Sequence, residues 1–249
     1  MIPFLYLFNV LLLIRLPLYL RDDRLSGRKA VLAGAVQAVS LAVFVPGWAV
    51  AALVLLVIAL NLAAWRIEAV GRGPLPARRL LLLGLYAASF SVLCSEAFGL
   101  QFRPDLQHWE ALAREYFLPA KITSLVHWKP FHAGLLGALL CLNEANLLVR
   151  FIIEKLMLRP EIERKTGSLG APQKEYNRGR IIGLLERLIL FILVMQNQFT
   201  ALGFVVTAKT IARFKNLDDR EFAEYFIVGT LLSVVSAGGI ALVIHRLFF

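Results

Sequence analysis

The side chains able to do chemistry in this chain are the polar and charged ones set inside apolar sequence. Glu186 and Arg187 lie in one such stretch, and Lys209 with Arg213 in the next. A carboxylate opposed to ammonium or guanidinium groups at low dielectric can hold two helices together, or form a polar path for an ion or proton. A second set is Asn143, Glu144 and Asn146, followed by Arg150 and Glu154. At about 100° per residue, Asn143, Asn146 and Arg150 share one helical face, while Glu144 points about 100° away. Arg150 and Glu154 form an i,i+4 pair, which reads as structural.

Other chemistries find no support. The histidines are His108, His127, His132 and His245. His127 and His132 would sit about 140° apart on a helix, a poor ligand face. No H-E-x-x-H, G-x-S-x-G or P-loop pattern occurs, so no metal site, cofactor or catalytic residue is expected. Cys94 and Cys141 both fall in apolar runs and read as small packing residues.

The elements that must position these groups are long and apolar. Residues 30–45, 47–64, 80–100, 131–149 and 222–245 are almost uncharged, and each is close to the length that crosses a hydrocarbon core of ~30 Å. Hydrophobic residues form 59% of the 249-residue chain, with a mean hydropathy of +0.69. In lipid every backbone polar group needs an internal partner, so the expected fold is all-α. The expectation is a polytopic transmembrane bundle of seven or eight helices with one interfacial amphipathic helix. The net charge of +10 does not argue for nucleic acid. Its Lys and Arg flank apolar ends, where positive-inside retention and anionic headgroups account for them.

Charge placement orders the crossings. Residues 1–20 lack a basic n-region and an A-x-A site, so they read as a retained first helix. The loops 21–29 and 65–79 each carry four basic residues, and Pro46-Gly47 makes an uncharged hairpin between them. Residues 1–100 thus form an N-terminal four-helix membrane region, 101–130 an external segment, and 131–249 a C-terminal membrane module. Within that module the polar stretch 159–178, with Pro160, Gly167, Gly170 and Pro172, is a cytoplasmic loop.

Segment 180–214 would be about 50 Å long as one helix. The triplet Gln196-Asn197-Gln198 divides it into a hairpin of arms 180–196 and 199–214. Counting back from that turn brings Glu186 opposite 208–210, and hence opposite Lys209. Twenty of the 27 Lys and Arg then fall on the cytoplasmic face, which favours eight crossings over seven.

Two surfaces suggest packing. Small residues recur every fourth position at Ala30, Gly34, Ala38 and Ala42, at Gly179 and Gly183, and at Gly229, Ser233 and Ala237. Such faces let helix backbones approach closely in lipid. Residues 105–118 place Leu106, Trp109, Leu112, Tyr116 and Phe117 on one helical face, as an interfacial helix does.

The stretch 177–236 reads N-R-G-R-I-I-G-L-L-E-R-L-I, then T-A-L-G-F-V-V-T-A-K-T-I-A-R-F, then R-E-F-A-E-Y-F-I-V-G-T-L-L-S. It resembles the carboxy-terminal module of a family of uncharacterised bacterial inner-membrane proteins, with G-R-x-I-G-x-L-E-R, A-K-x-x-x-R-F and A-E-Y-x-x-x-G-T-L-L-S segments. The resemblance implies a bacterial inner membrane and brings no reaction. It marks Gly179, Arg180, Gly183, Glu186, Arg187, Lys209, Arg213, Phe214, Glu224, Tyr225 and Gly229. Glu224 is expected to meet Arg213 or Arg180.

Three functions fit these observations. One is a non-catalytic subunit or scaffold of an inner-membrane complex, whose partners are the lipid bilayer and a membrane protein or second copy. Another is a small-solute or ion transporter or channel with its polar site in the 180–214 hairpin. The third is an enzyme acting on lipid through His108, Glu110 and His127.

Overall fold

The computed structural model describes residues 1–21, 25–70, 74–105, 128–156, 173–214 and 217–249. The regular elements among them are helical: α1 (Ile2–Arg21), α2 (Gly27–Ser40), α3 (Trp48–Val70), α4 (Leu75–Leu93), α5 (Trp128–Leu142), α6 (Glu144–Lys155), α7 (Gln173–Met195), α8 (Phe199–Ala212) and α9 (Arg220–Phe248). The stretches Trp48–Val70, Lys129–Ile153 and Arg220–Phe248 are long and apolar enough to cross a membrane. The interfacial helix expected over 105–118, His108, Glu110, His127 and most of the 159–178 loop lie outside the described residues.

The helices extend further than the apolar runs suggested. The segment 65–79 is largely helical, since α3 continues to Val70 and α4 begins at Leu75. Likewise α7 starts at Gln173, inside the stretch read as loop. Charged residues with good helix propensity continue a helix past its apolar core.

The chain divides into two compact units, Met1–Leu139 with Phe248, and Leu140–Leu247 with Phe249. The first unit thus reaches past the 130/131 boundary drawn from the sequence. The reason is local: Asn9 Nδ2 donates to the His132 carbonyl at 2.9 Å, and the ring of Tyr6 meets that of His132 edge-on.

In the first unit α2 packs on α3, α3 on α4, and α1 on both α2 and α4. The buried residues of α3 are Ala49, Leu53, Val57, Asn61, Ala64 and Glu68, a single stripe at spacings of three and four. On α2 the buried face is Ala30, Ala33 and Gln37, so the close-packing ridge is rotated from the expected Ala30–Gly34–Ala38–Ala42 row. Just before Pro46-Gly47, Phe44 forms an antiparallel bridge with Phe102. Val45 N donates to Gln101 O at 3.0 Å, and Arg103 N to Val43 O at 2.9 Å. The Phe44 and Phe102 rings stack at 4.7 Å, with Tyr6 edge-on to both.

In the second unit α7 packs against α8 through the turn at 196–198. Asn197 takes φ 56°, the left-handed region. Gln198 N donates to Leu193 O (2.8 Å) and Asn197 N to Val194 O (3.0 Å). That is a Schellman closure, with Asn in the position where only Gly and Asn are readily accommodated. The Asp219 carboxylate caps α9 by accepting from Glu221 N at 3.1 Å. The buried stripe of α9 is Phe226, Thr230, Ser233, Ala237, Ala241 and Ile244.

Every long helix leaves bulky apolar side chains uncovered. Leu55 is 69% exposed, Phe204 74%, Ile211 70% and Val235 70%. Surfaces this apolar call for lipid or another apolar surface as cover.

Candidate functional site: buried polar clusters in each unit

The hairpin closes with Lys209 of α8 facing Glu186 of α7. Lys209 Nζ lies 2.5 Å from Glu186 Oε2, with the two side chains 23% and 17% exposed. The ammonium group also lies 5.6 Å from the centre of the Phe226 ring, a cation–π arrangement. A small cavity beside the pair is walled by Glu186, Lys209, Thr230 and Ser233 together with apolar side chains. The Thr230 hydroxyl is buried and has no hydrogen-bond partner.

Arg187 turns away from this pair. Its Nη2 donates to Asn146 Oδ1 of α6 at 2.8 Å, and the residue is only 4% exposed. The two polar sets that the sequence kept apart are therefore joined through one guanidinium group. Asn143 is fully buried where α5 gives way to α6, and Glu144 opens α6. A carboxylate in a first helical turn is favoured by the exposed N–H groups and the positive end of the macrodipole.

The remaining expected residues are placed less centrally. Arg213 closes α8, its backbone N–H donating to Thr210 O at 3.2 Å, and stands apart from the ion pair. Gly183 faces Arg187: an added methyl there would lie 3.9 Å from the guanidinium nitrogens. At Gly229 it would lie 3.6 Å from Ile153 Cδ1, an ordinary contact, so the site admits a slightly larger residue. Ser233 is buried in the α9 stripe. Gly179 lies in α7, and the side chains of 173–180 and 154 lie outside the description. Glu224 pairs with Arg220, not with Arg213: Arg220 Nε is 3.0 Å from Glu224 Oε1, an exposed i,i+4 pair. The partner one turn away reaches it without any tertiary contact.

The first unit holds a cluster that the sequence reading missed. Arg79 Nε and Nη2 donate to Glu68 Oε1 and Oε2 at 3.0 and 3.2 Å, a bidentate pair in which Arg79 is 1% and Glu68 7% exposed. Leu25 N also donates to Glu68 Oε2 at 3.0 Å. Arg15 Nη2 donates to the Arg79 carbonyl at 3.0 Å. Arg78 Nη1 donates to the Ile67 and Glu68 carbonyls at 2.9 and 3.2 Å. Glu68 and Arg79 so tie α3, α4, the lead-in to α2 and, through Arg15, α1. Deeper along α3, Asn61 Nδ2 donates to Gln37 Oε1 at 2.6 Å and to Val57 O at 2.8 Å. The available signal was the spacing: Asn61 and Glu68, seven residues apart, fall on one face of an otherwise apolar helix.

Among the described residues no three His, Cys, Asp or Glu side chains are grouped to hold a metal ion. Cys94 and Cys141 are free thiols, the second fully buried. No family model, no curated protein and no solved structure matches the chain.

Proposed function

We propose that this chain is a multi-pass protein of a bacterial inner membrane, a bundle of seven or eight crossings that acts as a non-catalytic subunit or scaffold. The observation that carries the reading is the engagement of three charged sites between helices. Glu68 is held by Arg79, Glu186 by Lys209, and Arg187 is bound to Asn146. Charges so engaged orient helices, and moving a proton or attacking a substrate would require breaking contacts that hold the helices of each unit in place. The three long apolar helical stretches among the described residues and their uncovered Leu, Phe, Ile and Val side chains support the membrane setting. The resemblance of 177–236 to a bacterial inner-membrane module supports the location.

The test is affinity purification of the tagged protein in mild detergent, with mass spectrometry, for wild type and Glu186→Gln. A stoichiometric membrane-protein partner, or a defined homo-oligomer, is expected. A monodisperse monomer with no partner in both samples would defeat the scaffold reading.

One observation favours a second reading, a small-solute or ion transporter. The cavity beside Glu186 and Lys209 also presents the Thr230 hydroxyl. Solute flux into liposomes that is lost in Lys209→Met would select it over the scaffold.

A further inference from the structure

Thr207 and Thr210 of α8 turn their hydroxyls back on their own helix, donating to the Gly203 and Val206 carbonyls at 2.9 and 3.0 Å. A carbonyl four residues back is the ordinary partner of a helical Thr hydroxyl. Thr230 of α9 behaves differently. The residue is 8% exposed, its Oγ1 is buried, and no protein group bonds it. It lines the small cavity enclosed by α7, α8 and α9. A helical Thr has two good rotamers, and a buried hydroxyl is costly in the one that leaves it unmatched. The cavity must therefore supply the partner that the helix does not.

The rest of the wall restricts what that partner is. The Glu186 carboxylate and the Lys209 ammonium group line the same cavity and are joined to each other, so the polar wall has no net charge. An anion would meet the carboxylate, and a cation the ammonium group, at close range and away from bulk water. Glu186 accepts hydrogen bonds, Lys209 donates them, and Thr230 can do either. Leu190, Val205, Val206 and Val234 make the remaining wall apolar. The space is about that of one water. The matching occupant is neutral, both gives and receives hydrogen bonds, and has a single heavy atom.

We infer that this cavity binds one water molecule, hydrogen-bonded to the Thr230 hydroxyl and to the Glu186–Lys209 pair, and that the water fastens α9 to the α7–α8 hairpin. Phe226, one turn before Thr230, already sets its ring against the Lys209 ammonium group. The water adds a polar link to that contact. The inference depends on neither the scaffold nor the transporter reading. It does constrain the second, because with the three helices so placed the site beside Lys209 admits no solute larger than a water.

The experiment is a crystal structure of the full chain, at a resolution that shows ordered waters, for wild type, Thr230→Ser and Thr230→Val. In the first two a density peak is expected within about 2.6–3.2 Å of the hydroxyl oxygen and of Glu186 or Lys209. In Thr230→Val it should be gone. Thermal unfolding gives an independent reading, because its sign differs. Val keeps the shape of Thr, so removing an idle buried hydroxyl raises the Tm, whereas removing one that holds a bridging water lowers it. The expected Tm of Thr230→Val is about 2–4 °C below wild type. If Thr230→Val does not fold, the wild-type and Thr230→Ser structures decide alone. A wild-type structure without the peak, a Thr230 hydroxyl turned to the Phe226 carbonyl, or a Tm unchanged or raised in Thr230→Val would each overturn the inference.

Discussion

Arg187 of α7 reaches across to α6 and donates to the side-chain oxygen of Asn146 at 2.8 Å, linking residues 41 apart in sequence. The guanidinium is almost wholly buried, so its acceptor cannot be replaced by bulk water. Asn146→Leu should lower unfolding stability by about 1–3 kcal/mol, the cost of a buried charged donor left unmatched. Arg187→Met in the same background should recover part of that loss, because it removes the stranded charge. Fluorescence-monitored unfolding in detergent reads both effects, and an unaltered Asn146→Leu protein would contradict the assignment.

The Glu68–Arg79 pair should be the least tolerant site in the first unit. Either Glu68→Gln or Arg79→Met is expected to cost about 3–5 kcal/mol, as when one partner of a buried ion pair is removed. Arg79→Lys should not substitute, since a single ammonium group cannot reproduce the two-point contact. Joint replacement of both by Met should restore folding only in part, because Leu25 N loses its acceptor as well. The yield of monodisperse protein in size-exclusion chromatography ranks the variants.

The hairpin pair is more accessible and its effect smaller. Glu186→Lys or Lys209→Glu alone should destabilise by about 1–2 kcal/mol, between the exposed and fully buried limits. The double exchange should regain most of the difference but not all, since Lys209 also faces the Phe226 ring. Additive losses in the double variant would show that the pair makes no coupling contribution.

Asn197 offers a backbone test of the same hairpin. Asn197→Gly should be tolerated, whereas Asn197→Val should lose about 1–2 kcal/mol, because a β-branched residue resists positive φ. Thermal unfolding of the two variants side by side distinguishes them, and equal midpoints would argue against the left-handed turn.

What could be read in advance follows from which interactions are local. The polar triplet at 196–198 interrupts an apolar run, and counting outward from it brings Glu186 opposite Lys209, the contact found. The Glu68–Arg79 pair was not legible in this way. Both residues stand in short basic segments that look like loops, and only the continuation of α3 and α4 brings them inward. The Asn146–Arg187 bond was hidden for another reason. Periodicity tells which face of a helix is buried but not which helix covers it. For Glu224 the expected contact with Arg213 is not found, since Arg220 one turn away pairs with it, and the side chain of Arg180 lies outside the description.

The helices α2–α4 are fastened at both extremities. At one, Phe44 and Phe102 bridge the α2–α3 connection to the segment after α4. At the other, the Glu68 carboxylate gathers Arg79 and the Leu25 amide. Shear of α3 by one helical turn, about 5.4 Å, would tear the backbone bonds of Val45 and Arg103 and the ion pair together. Rigid sliding inside this group of helices is thereby blocked, and its amide protons at Leu25, Val45 and Arg103 should exchange with solvent far more slowly than their place outside regular helix would suggest.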